Sequence, residues 1–133
     1  MNQSHPLVFL AVMVVLVAAS GCGGPALVIP GGALSGPVVA PPESWEGIDA
    51  TFLDLEVRPG NPYSVQLNYV VAEGKLYIDP AEGRRWFDYL REDGRVRVRL
   101  SGEVYELKAV LVGRPGELSG FDSERFIYRL DSR

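Results

Sequence analysis

Cysteine and histidine are almost missing from this 133-residue chain, which holds one of each, Cys22 and His5. Both lie ahead of nearly all its charge. A domain that begins after them has neither thiol nor imidazole. Disulfides, thiolate catalysis and cysteine-ligated metals are excluded for it. So are a Ser-His triad, a histidine general base and a histidine metal site, and no metal is expected. Charge is scarce at the start as well. Residues 1–5 hold no Lys or Arg, and residues 23–44 hold a single charged side chain, Glu43. No long basic block occurs anywhere, which argues against nucleic-acid binding.

What is present first is an apolar run, 7–19, LVFLAVMVVLVAA. Its length suits a secretory h-region of about 7–15 residues and falls short of the roughly 20 a membrane span needs. Ser20, Gly21 and Cys22 follow it directly. This layout resembles the lipobox of bacterial lipoproteins, with Ala19 where that family prefers Leu. The resemblance implies a signal peptide over 1–21 and acylation of the Cys22 thiol. Cleavage just before Cys22 then leaves an exported protein held on a cell-envelope membrane by lipid. A plain signal peptide cut after Ala19 or Gly21, and an uncleaved signal anchor, are the alternatives.

Residues 22–44 are nearly half Gly and Pro. Pro lacks an amide donor and Gly costs backbone entropy, so no regular helix forms there. The segment reads as a tether, with apolar pieces at 26–29 and 38–40 that lie on the bilayer or on the domain. From 45 to 133 the composition turns mixed in charge and slightly acidic, enough for one modest core. Alternation predicts strands over 51–57, 64–72, 75–79, 95–100, 103–112 and 126–130. Turn residues Glu73-Gly74 and Ser101-Gly102 close two hairpins. Asp79, Pro80 and Glu82 carry the signs of a helix start, with Asp79 as cap, and the helix runs to about Glu92. Trp86, Phe87 and Leu90 form its apolar face. A short helical turn is expected over 121–125. The fold class is mainly β: a small antiparallel barrel with one short helix.

The stretch 61–100 runs from a Pro-containing turn through LNYVV, LYI, the aromatic helix and RVRV. In this order it resembles the split-β-barrel flavoproteins, above all the deazaflavin-dependent nitroreductase branch of the pyridoxamine-phosphate-oxidase-like superfamily. The resemblance implies FMN or deazaflavin as cofactor, with Asn68, Tyr69 and Trp86 toward its ring and Arg58, Arg84 and Arg85 on its phosphate. It also implies a homodimer, for which RVRVRL or the last strand, FIYRL, offers an edge. The family's basic Gly/Ser-rich turn is replaced here by Arg58-Pro59-Gly60-Asn61-Pro62, in which prolines remove amide donors.

Read from the residues alone, Arg58, Arg84 and Arg85 form an anion site or else pair at the surface with Asp79 and Glu82. Arg95, Arg97 and Arg99 form the wet face of a strand, answered across the hairpin by Glu103 or Glu106. The aromatics stack on a ligand ring or else fill the core. Three functions follow. One is a lipid-anchored, non-catalytic binding or interaction module with an envelope protein as partner. Another is a flavin- or deazaflavin-dependent oxidoreductase, and the third is an envelope binder of a small anionic ligand that uses the same arginines.

Overall fold

The computed structural model of the chain describes residues 31–133 and is mainly β, as the alternating segments require. The expected signal segment, Cys22 and the start of the expected tether lie outside the described residues. Strands β1 (Leu53–Val57), β2 (Tyr63–Leu67), β3 (Val70–Ala72) and β4 (Lys75–Ile78) precede helix α1 (Arg85–Glu92). Strands β5 (Arg95–Leu100), β6 (Glu103–Gly113) and β7 (Ile127–Ser132) follow it. All pair antiparallel in one sheet, ordered β2-β1-β5-β6-β7-β4-β3.

The single strand expected over 64–72 is two, because Asn68 and Tyr69 interrupt it. Its first half pairs with β1 at one end of the sheet and its second half with β4 at the other. Three peptide steps from Leu67 to Val70 reach at most about 11 Å. The two ends of the sheet must therefore approach each other, which curls it into a half-barrel. Tyr69 secures the corner by donating its hydroxyl to the Ala50 carbonyl.

The core fills the inside of the curl. Leu53, Leu55 and Val57 from β1 meet Val96, Val98 and Leu100 from β5, with Leu76, Ile78, Leu107 and Leu130 beyond them. Each is 3 % exposed or less, and burying such a side chain stabilises by about 1.5–3 kcal/mol. Helix α1 contributes Trp86, Phe87 and Leu90, as its spacing predicts. The hairpin turns at Glu73-Gly74 and Ser101-Gly102 both have positive φ at each central residue, the geometry that matches strand twist. The expected helical turn over 121–125 is an ordinary turn, closed by the Arg125 amide on the Asp122 carbonyl at 3.3 Å.

The helix starts later than its sequence signals predict. Gly83 has φ of +90°, which no α-helix accommodates. The Pro80 carbonyl takes its hydrogen bond from the Phe126 amide at 3.1 Å, not from a helical neighbour. Glu82 turns away to a bidentate pair with Arg91, at 2.7 and 3.0 Å. Arg91 holds the Glu82 carboxyl below the usual carboxylate range. Asp79 faces Arg125 at 3.9 Å. Arg84 is the N-cap, and no side chain caps the helix there.

At the other end of α1, Asp93 accepts from the side chain and the backbone amide of Arg95. The Arg95 guanidinium and amide lower the Asp93 carboxyl to about 2. A depressed carboxylate stabilises above its unfolded value near 4 and ceases to as pH falls through the folded value. Asp93→Asn is therefore expected to lower Tm at neutral pH, with the gap to the parent closing toward about pH 2. Thermal melts across that range check it.

The outer face carries two cross-strand rows. Ser64, Glu56, Arg97 and Glu106 form one, and Gln66, Asp54, Arg99 and Val104 the other. The arginines are answered from β1 rather than across the β5–β6 hairpin: Arg97 by Glu56 at 3.4 Å and Arg99 by Asp54 at 3.1 Å. Glu106 lies opposite Arg97 in register, yet the pair forms with β1, on the side that residues 31–39 cover. Nor do β5 and β7 supply an edge for pairing, since both are interior strands, and the sheet ends at β2 and β3.

That covering is a strap made from part of the predicted tether. Gly31 bonds β2 through Ser64 in both directions, at 2.8 and 2.9 Å. The Leu34 amide donates to Glu56 Oε2 on β1 at 2.7 Å. The Ser35 carbonyl accepts from Arg99 on β5 at 3.1 Å. Pro37 and Val39 bond the backbone of Val104 on β6, each at 2.9 Å. The strap thus crosses four strands in spatial order. Beneath it Glu56 is 4 % exposed and Val104 fully buried, although both belong to the outer face. Of the apolar pieces, 38–39 lies on the domain; 26–29 lies outside the described residues.

Candidate cleft

A cleft of about 770 Å³ opens between β2, the strap and the segment leading into α1. One wall is β2 with Asn68. The other runs from Asp79 through Gly83, Arg84, Arg85 and Trp86. Gly31 and Leu34 of the strap form part of the rim, and Arg99 and Arg125 reach in from β5 and from the loop before β7. The late helix start creates this wall. Had 79–84 continued the helix, its cap residues would have closed the N-terminus.

The lining holds four arginines and two aspartates, Asp54 and Asp79. Both aspartates are already engaged. Asp54 holds Arg99, and Arg125 donates to the Asp79 carbonyl at 3.2 Å besides facing its carboxylate. Among the described residues Arg84 and Arg85 make no ion pair or side-chain hydrogen bond, and both are exposed. The uncapped helix end lies beside them, with its first amides lacking intrahelical partners. A net positive lining thus sits in a chain of net charge −4. Two free guanidinium groups, which bind oxyanions bidentately, make this a place for a small anion.

The candidate residues separate into two groups. Arg84, Arg85, Asn68 and Trp86 meet in the cleft, although Trp86 is only 8 % exposed. Arg58 and Tyr69 do not. Arg58 stacks over the Tyr89 ring at 4.0 Å and donates to the Asn61 carbonyl at 2.7 Å, so it clamps its own turn. The Tyr69 hydroxyl is spent on Ala50. Other tyrosines pack edge-on within the fold, Tyr63 on Tyr89 and Tyr105 on Trp45, and Tyr77 lies tilted against Phe121. Of the phosphate and ring contacts set out for a flavin, four therefore share the cleft, while Arg58 and Tyr69 lie outside its lining. Arg99 and Arg125 were missed as cleft residues. Arg99 carries only strand alternation as a signal, and Arg125 carries none.

Among the described residues no three His, Cys, Asp or Glu side chains gather into a metal site, and no helix is long and apolar enough to cross a membrane. Comparison of the chain with protein-family models and with the curated proteins gives no match.

Proposed function

We propose that this protein is an exported lipoprotein, held on an envelope membrane through Cys22, whose half-barrel is a non-catalytic binding module for a small anion. One observation carries the binding half of this reading: the cleft presents Arg84 and Arg85 without carboxylate partners, while its own aspartates are matched to Arg99 and Arg125. The anchoring half rests on the apolar run closing on Cys22.

The test is ligand-induced stabilisation of the full chain by inorganic phosphate and pyrophosphate, with riboflavin phosphate beside them. A ligand at a hundred times its Kd adds about 2.7 kcal/mol to the native state. Stabilisation by all three is expected, with no extra gain from the flavin ring. Arg84→Ala combined with Arg85→Ala is expected to weaken binding by about tenfold or more, since each charge-assisted hydrogen bond is worth about 1.5–3 kcal/mol. A gain that needs the flavin ring would move the protein to the oxidoreductase reading instead. An unchanged Kd in the double variant would remove the cleft from consideration.

A further inference from the structure

We infer that the anion this cleft takes is the phosphate of an anionic membrane lipid, so that the cleft docks the half-barrel onto the surface that anchors it. The inference rests on the anion-binding reading and on acylation of Cys22, and adds the source of the ligand and the orientation of the domain.

Three observations carry it. The first is where the described chain leaves the domain. Gly31 is fixed by two backbone hydrogen bonds to Ser64, and it lines the cleft. The residues that join Cys22 to the half-barrel therefore meet the described residues at the cleft rim. The second is length. Eight residues lie between Cys22 and Gly31, and the nine peptide steps from one to the other reach at most about 32 Å when fully extended. A domain of about a hundred residues has a radius of gyration near 13 Å, hence a diameter similar to that reach. A leash so short, leaving from the rim, keeps the rim side toward the bilayer. The third is charge. Every Lys, Arg, Asp and Glu of the chain lies at residue 43 or beyond, with a net of −4. The cleft lining carries +2 of its own, so the remaining surface stands at −6. An anionic bilayer repels that net negative surface and attracts the cleft, and both effects are strongest within a Debye length of the lipid.

The arginines that meet the lipid are the two that lack partners. Arg84 and Arg85 are exposed, stand at the opening into the helix, and can fork onto a phosphodiester. Arg99 and Arg125 keep their aspartates and shape the wall.

The experiment uses the full chain, its acylation verified by mass spectrometry, reconstituted in two kinds of vesicle. One is phosphatidylcholine alone; the other includes roughly one part in three of phosphatidylglycerol. Hydrogen exchange is followed at the amides of residues 83–86. With phosphatidylglycerol the expected result is about tenfold slower exchange there, absent in the Arg84→Ala, Arg85→Ala double variant and kept in Lys108→Ala, whose exposed site lies off the cleft. Soluble glycerol phosphate is added to the neutral vesicles as a separate arm. Protection by glycerol phosphate but not by phosphatidylglycerol would overturn the lipid source and leave the anion reading intact. Protection by neither would remove both. Equal protection of the double variant, or a chain that carries no acyl group, would also overturn the inference.

Discussion

Glu56→Ala will cost this domain about 1–3 kcal/mol, the range for leaving buried hydrogen-bonding groups without their partner. The carboxylate is 4 % exposed and has two partners, the Leu34 amide at 2.7 Å and Arg97 Nη1 at 3.4 Å. Removing it leaves a guanidinium under the strap with no counter-charge. Arg97 Nε is already buried without a hydrogen-bond partner among the described residues, so this charge has little in reserve. The Leu34 amide loses its acceptor as well. Urea unfolding measures the loss, and exchange at the Leu34 amide reports whether the strap has lifted. Replacing both Glu56 and Arg97 with methionine is expected to recover more than about 1 kcal/mol over the single variant, because the desolvation of two charges disappears with them. A single variant within about 1 kcal/mol of the parent would mean that water reaches the pair and the strap seals nothing.

Phe87→Ala is the second large effect, about 3–5 kcal/mol. Phe87 is fully buried, with ring centroids of Phe126 at 5.1 Å and Tyr128 at 5.8 Å. The Arg91 guanidinium lies 3.9 Å over its face, held there by Glu82. Truncation opens a cavity beneath the helix, between Trp86 and Leu90, and it removes the surface that positions Arg91. Against a total stability of 5–15 kcal/mol for an ordinary domain, Tm is expected to drop by more than about 10 °C. Calorimetry decides it. Because Glu82 and Arg91 also shape the turn before α1, the same variant is expected to bind phosphate more weakly even where it remains folded.

What was legible in the sequence was local. Hairpins at Glu73-Gly74 and Ser101-Gly102, the alternation of β5 and the apolar face of α1 each depend on residues a few positions apart. What was not legible depends on distant partners. Asp79, Pro80 and Glu82 carry a sound cap signal, but Arg125, Phe126 and Arg91 bind those groups elsewhere, and the helix waits until Arg85. Asp54 and Glu56 lie more than forty residues from the arginines they hold. Nothing in their alternation says which neighbouring strand will answer. The break at Asn68 and Tyr69 follows from sheet closure, which a periodic pattern cannot express. The cleft was half legible: Arg84, Arg85, Asn68 and Trp86 come together, whereas Arg58 and Tyr69 serve their own turn and corner. Gly and Pro content told that residues 31–44 would not be helical. It could not tell that their backbone amides and carbonyls would find partners across the sheet.

The strap also decides how this domain answers tension. A pull from the N-terminal side loads the Gly31–Ser64 bonds first, then Leu34 on Glu56, then Ser35 on Arg99, and last the contacts at Val104. Bonds taken in series break one after another, each at low force, rather than sharing the load as strands sheared together do. The strap peels strand by strand and lengthens the leash before any force reaches the core strands. For a chain held at Cys22 as proposed, the strap is a shock absorber between the attachment and the half-barrel.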